Sequence, residues 1–204
     1  INASFYVDKI KELAKSRTFD KDYLKHLEII GRHVGKELLD EKNRAWLRGG
    51  RLEFLFYRLI ETVQSYGKIT DIKWNGTVDD FGIARPAPGL RQGLPDISFK
   101  CRDRYFLLEL TTITSPSAQW SAEGSSVPYH IRNYVEHTGI KDVIGVFSAP
   151  LYHQKVDDAL KNTLIPYKYA IICIPIADFA DILEKSKNLY ENLIEIMEKQ
   201  YSKK

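Results

Sequence analysis

The chain has 204 residues, 44% of them hydrophobic and 28% charged, with a net charge of +3. That length suits one compact domain with a helical extension, and the composition is too rich in apolar residues for a disordered chain. No apolar run approaches the roughly 20 residues that a membrane-spanning helix needs, no secretory pattern opens the chain, and so mild a positive charge does not by itself argue for nucleic acid.

The expected setting is therefore the cytoplasm, without a membrane partner. The chain opens at Ile1 without a methionine, as expected of a fragment or a trimmed chain. Cys101 and Cys173 each sit in an apolar, strand-like run. They read as reduced core residues, because no second Cys or His stands at zinc-ligand spacing from either.

Residues 4–16 have the spacing of an amphipathic helix. Asp20 is placed to cap a second, with Leu24, Leu27, Ile30, Val34 and Leu38 as its apolar stripe. Gly49-Gly50 is expected to interrupt the chain near the start of a third helix. Residues 51–66 are apolar almost all round, which predicts a helix buried on more than one side. A strand over 69–74 follows, then a loop over 75–93 rich in Gly and Pro.

Two strands are expected at 97–101 and 104–112, and a helix near 123–137. The run 143–147 and the run 169–174 are β-branched and apolar throughout, as central strands covered on both faces are. A helix near 153–162 lies between them, which predicts a parallel crossover. Pro175 ends the last strand, and one long helix over 177–201 closes the chain. The predicted fold is α/β, a mixed sheet flanked by helices, with a helical N-terminal region over 1–48 and the core over 49–204.

The segment 94–112 carries most of the information. With Arg102-Asp103 as a two-residue turn, Cys101 pairs with Arg104, Phe99 with Phe106 and Ile97 with Leu108. The same register sets Asp96 opposite Glu109, with Cβ atoms about 5 Å apart. A slip of one residue would move the apolar set to the wrong face, so the pattern resists it. Facing carboxylates repel unless one is protonated, a cation joins them, or basic groups surround them. A hard divalent ion such as Mg²⁺ is bound through one or two carboxylates plus waters and phosphate oxygens. The alternative is a pair of solvated strand-end residues matched with Arg102 or Arg104.

Gly93-Leu94-Pro95-Asp96 followed by Leu107-Leu108-Glu109-Leu110-Thr111 resembles the PD-(D/E)xK nuclease signature, with Thr111 where the lysine is expected. With the later Glu123-Gly124, Val127 and His130-Ile131, the pattern is similar to the AlwI-like type IIS restriction and nicking endonucleases, whose cleavage domains have a FokI-like layout. The resemblance covers about 50–180. It implies a restriction-endonuclease-like fold, with residues 49–204 as the catalytic core. It also implies Mg²⁺ as cofactor, with Mn²⁺ able to substitute, and one phosphodiester of double-stranded DNA hydrolysed per active site in a bacterial cytoplasm. Asp96 and Glu109 then correspond to the motif carboxylates, Glu53 to the acidic residue on the preceding helix and Glu123 to the later glutamate.

Each further residue keeps a plainer reading. Glu53 is either a buried carboxylate needing a partner or metal, or one on a polar helix edge with Arg51 and Arg58. Thr111 shares a face with Glu109 and can orient a water or phosphate, but it lacks the charge of a lysine. Glu123 is either a site residue or a helix N-terminal carboxylate capped by Ser121. His130 and His137, seven apart, share a helix face and can contact phosphate, face solvent or be satisfied by a neighbour. Trp120 reads as core or interface. Arg85, Arg91 and Lys100 are candidate DNA contacts or ordinary surface charge.

Nothing reads as a helix-turn-helix or zinc finger, so sequence recognition is expected on a separate domain or large subunit. A transient dimer is one route to double-strand cleavage. The alternatives are a repair or junction-resolving nuclease of the same fold, or a non-catalytic DNA-binding module in which Thr111 marks a decayed site.

Overall fold

A computed structural model describes residues 2–15, 18–34, 41–86, 93–151, 153–185 and 187–202. The described elements are α1 (Ala3–Lys15), α2 (Lys21–Val34), α3 (Glu41–Gly67), β1 (Ile69–Trp74), β2 (Thr77–Val78), β3 (Ala84–Arg85), β4 (Ile97–Cys101) and β5 (Arg104–Leu110). There follow α4 (Pro116–Glu123), α5 (Ser126–Thr138), β6 (Val143–Ala149), α6 (Gln154–Leu164), a 3₁₀ turn (Ile165–Tyr167), β7 (Ala170–Pro175), α7 (Ile176–Lys185) and α8 (Leu189–Ser202).

The main sheet has the order β1-β4-β5-β6-β7. The pairs β1–β4 and β4–β5 are antiparallel, and β5–β6 and β6–β7 are parallel. Every residue of β6 is buried, as its unbroken apolar run predicts for a strand covered on both faces. One face packs against α1, α3, α7 and α8 through Ile10, Phe56, Phe99, Phe106 and Phe179. The other packs against α5 and α6 through Leu107, Val127, Ile131, Leu160 and Ile171. Full burial of each such side chain contributes about 1.5–3 kcal/mol. The result is the predicted mixed sheet between helical layers. Cys101 and Cys173 are both free and buried. Among the described residues, no helix is long and apolar enough to cross a membrane.

The hairpin has the predicted register: Ile97 faces Leu108, Phe99 faces Phe106 and Cys101 faces Arg104. Asp20 caps α2 as expected, its carboxylate accepting from the Tyr23 N–H at 3.3 Å. Leu27 is buried and Leu24 and Ile30 partly so, around a small cluster with Phe19, Tyr23, Leu47 and Ile83. The Val34 side chain and Leu38 lie outside the described residues.

Five expectations about elements are corrected. Gly49-Gly50 does not interrupt the third helix, since α3 runs unbroken from Glu41 to Gly67. Its reason for glycine is close approach: a Cβ on Gly50 would sit 2.5 Å from the Ala84 carbonyl oxygen. Ala84 belongs to a short β2–β3 hairpin inside the segment expected to be all loop. The single helix near 123–137 is two helices, α4 and α5. Pro128 has no N–H to donate back to Gly124, so the first helix cannot run on and a new one starts at Ser126, with Pro128 in its first turn. The long C-terminal helix is likewise two, α7 and α8. Strand β5 ends at Leu110, not at residue 112.

Candidate active site

The site lies at the end of the β4–β5 hairpin, where the chain enters β4 and leaves β5. Asp96 directly precedes β4. Its N–H donates to the Leu108 carbonyl at 3.0 Å, and its carbonyl accepts from the Asn75 N–H at 2.8 Å. Its carboxylate Oδ2 accepts from the Leu110 N–H at 2.8 Å. These contacts to Leu108 and Leu110 bracket Glu109 and bring Asp96 beside it, just beyond the last strand pair, Ile97 with Leu108. Asp96 is partly exposed, whereas Glu109 is 4% exposed.

Helix α3 supplies Glu53, which is buried. Of its two sequence readings, the buried carboxylate is the one found. Trp74, at the end of β1, donates its indole N–H to Glu53 Oε1 at 3.3 Å. The Trp74 ring is held between Tyr57 and Phe54 of α3, with centroids 5.6 Å from each. Aromatic packing thus orients the donor that satisfies the buried carboxylate.

From the opposite layer comes Glu123. It is the last residue of α4, not the first turn of a helix, and the cap of α4 is Ser115 rather than Ser121. The Ser126 hydroxyl donates to Glu123 Oε2 at 3.3 Å. Thr111, buried just beyond β5, also hydrogen-bonds Glu123. Its hydroxyl accepts from the Ile113 N–H at 3.2 Å, and its own N–H donates to the Ser148 carbonyl at 3.1 Å.

Charge accumulates among these four groups. Burial, then the charges of Asp96 and Glu123, pushes the Glu53 carboxyl well above its ordinary range. Burial, then Glu109 and Glu123, does the same to Asp96. Burial, then Glu123 and Glu53, raises Glu109, and burial raises Glu123. All the donors are hard oxygens, and all would be relieved by a cation. Among the described residues, no three His, Cys, Asp or Glu side chains converge closely enough to enclose an ion. A divalent ion held by one or two carboxylates, with waters and phosphate oxygens filling its remaining positions, needs no such enclosure.

His130 joins the site directly. Its Nδ1 lies 2.6 Å from Glu109 Oε1. Of its sequence readings, a histidine satisfied by a neighbour is the one found, although spacing along α5 does not reveal that the neighbour is Glu109. Burial lowers the His130 pKa. His137, on the same helix, is exposed. Trp74 was missed altogether as a site residue, and its only sequence signal was a Trp closing a strand after an acid-bearing helix.

Arg85 and Lys100 have their contacts away from the carboxylates. Arg85 on β3 pairs with Asp79 at 3.0 Å and lies over the Trp46 ring. Lys100 lies over the Tyr105 ring, 5.8 Å from its centroid. Arg91 is outside the described residues. Trp120 is not core, being 48% exposed on α4.

The model of the AlwI restriction endonuclease family matches residues 4–182. No curated protein matches the chain significantly. Among solved structures, the chain is similar to the small subunit of the heterodimeric restriction endonuclease R.BspD6I, with a TM-score of 0.60 at 18% identity, over 89% of this chain and 90% of that one. At that identity the likeness shows a shared fold. With most of its length matched by the family model, the chain belongs to the AlwI restriction endonuclease family.

Proposed function

We propose that this chain is a Mg²⁺-dependent endonuclease of the type IIS kind, acting on double-stranded DNA as a cleavage domain or small subunit that cuts one strand. The observation that carries the reading is Asp96 held opposite Glu109, with Glu53 and Glu123 raising the negative charge around them. Restriction endonucleases generally use divalent metal ions, and the hard oxygen donors here fit Mg²⁺, with Mn²⁺ as a substitute.

Asp96 and Glu109 are the assigned ligands. When bound, the ion would supply an activated water and stabilise the leaving oxygen of the phosphodiester. The protein's part is positional. His130 fixes one oxygen of Glu109, the Leu110 N–H fixes one oxygen of Asp96, and Trp74 fixes Glu53. Glu123 and Thr111 form a hydrogen-bonded pair that can orient a water or a phosphate oxygen and accept a proton. Thr111 brings no charge to replace the usual lysine, so the work falls to the additional carboxylates. Lys100 and Arg85, with Arg91, offer positive charge for the DNA backbone.

The R.BspD6I likeness supports a subunit that relies on a separate recognition partner, because that relative is described as the small subunit of a heterodimer. A transient dimer would serve double-strand cleavage. The test is cleavage of supercoiled plasmid in Mg²⁺, with and without a recognition partner. Nicked circles formed only with the partner support a one-strand subunit. Site-specific linear product from this chain alone counts against it.

A further inference from the structure

Glu109 stands on β5 and Asp96 just before β4, and one helix touches both β5 and the segment leading into β4. His130 on α5 contacts Glu109 of β5 at 2.6 Å. Three residues on, Asn133 Nδ2 donates to the Gly93 carbonyl at 2.7 Å. Residues three apart lie on one helix face. Gly93 is three residues before Asp96, at the base of the segment that delivers it.

The fit around Gly93 is close. Its φ is +95°, which a side chain would strain. A Cβ there would lie 3.1 Å from the Tyr129 ring and 3.3 Å from Asn133 Nδ2. Leu94 then packs against the core cluster that contains Val127, Ile131 and Tyr134 of α5. Pro95, which is buried, limits the backbone of Leu94 to extended conformations. Asp96 is the first residue of this segment that the sheet itself holds, through Leu108 and Asn75.

We propose that Asn133 is a positioning residue for Asp96, and that α5 sets the spacing of the two facing carboxylates by holding Glu109 through His130 and the Asp96 segment through Asn133. This rests on the reading of Asp96 and Glu109 as ion ligands. Asn133 touches neither substrate nor ion. It fixes where the strand begins, so that Asp96 does not fray from its place opposite Glu109. Partners of this outer kind usually change metal affinity by about 10–100-fold when removed.

The test uses the full chain and Tb³⁺, whose luminescence reports its own binding and which Trp74, bonded to Glu53, is placed to sensitise. Asn133→Asp keeps the shape but replaces the donor with an acceptor, and Asn133→Ser shortens it. Asn133→His keeps a donor. The expected result is Tb³⁺ affinity about tenfold lower in Asn133→Asp and Asn133→Ser, with recovery in Asn133→His. Amide exchange at Asp96 and Ile97 should quicken in the ion-free Asp and Ser variants while exchange in β6 and β7 stays slow. Parental affinity in both variants overturns the proposal. So does loss of affinity only in step with global unfolding. If the parent itself binds no Tb³⁺, the ion-site reading fails instead, and unchanged exchange at Asp96 in the variants would separately overturn the role of Asn133.

Discussion

His130 Nδ1 lies 2.6 Å from Glu109 Oε1, joining the middle of α5 to the end of β5 across two layers of the fold. Burial raises the pKa of Glu109 and lowers that of His130. Both shifts favour the neutral forms in the ion-free protein. A bound cation would return Glu109 to its carboxylate form, with His130 donating. Replacing His130 by Ala should therefore leave the fold intact and weaken cleavage by about 10–100-fold. Raising the Mg²⁺ concentration should restore part of the loss. Rates measured across a Mg²⁺ series check this, and a loss independent of Mg²⁺ would point to a contact with DNA instead.

The carboxylate cluster predicts an unusual pH dependence. Glu53, Asp96 and Glu109 have folded pKa values raised above the ordinary 4.5 and 3.8. The folded state then holds protons that the unfolded chain has released, so stability falls as pH rises from the ordinary carboxylate range through the raised values. His130 acts in the opposite direction, losing stability as pH falls below its ordinary 6.5 through its lowered folded value. In EDTA, melting temperature should fall as pH rises above the ordinary carboxylate range, and saturating Mn²⁺ should flatten the curve. Glu109→Gln should melt above the parent at the alkaline end without an ion, while losing activity. A parent curve flat in EDTA would show that the carboxylates do not repel in solution.

Thr111 offers a direct comparison with the usual lysine. It is buried and bonded to Glu123 among four carboxylates. An ammonium introduced there would pair with them and compete with the cation. Thr111→Lys should raise the melting temperature in EDTA and raise the Mg²⁺ concentration needed for cleavage. Thr111→Val, which keeps the shape and removes the hydroxyl, should lower the rate by about tenfold, the scale of a lost supporting hydrogen bond. Full activity of Thr111→Lys at parental Mg²⁺ would mean that the hydroxyl has no part in the site.

Gly50 tests the packing of α3 against β3. A methyl group there meets backbone rather than a flexible side chain, with the Ala84 oxygen 2.5 Å away. Gly50→Ala should cost about 1–3 kcal/mol despite the better helix propensity of alanine. At about 2–4 °C per kcal/mol the shift is easily read by thermal melting. Gly49→Ala, with open space at its Cβ, should be neutral or stabilising.

Short-range patterns in the sequence proved the most legible. The hairpin register followed from alternation and turn chemistry alone, and its open end brings Asp96 near Glu109. The parallel β6–β7 pair followed from two unbroken apolar runs with a helix between them. Tertiary relationships were not legible. Gly49-Gly50 looks like a breaker until Ala84 is seen against Gly50, because propensity yields to packing. The partners of Glu53 and Glu109 are Trp74 and His130, each 21 residues away on another element. The sequence marked His130 through a family pattern, but not the residue it holds. The break between α4 and α5 was available in Gly124 and Pro128, and overlooking it placed Glu123 at the wrong end of a helix.

The most direct test is calorimetric titration of Mn²⁺ into the parent chain and into Asp96→Ala and Glu109→Ala. Two facing ligands predict that the parent binds and that each variant binds at least about tenfold more weakly, each factor of ten being about 1.4 kcal/mol. Both variants should also lose cleavage by about a thousandfold, the several kcal/mol of stabilisation an ion supplies. Equal Mn²⁺ affinity in the parent and both variants, or no binding by the parent, would contradict the assignment of Asp96 and Glu109 as the metal site.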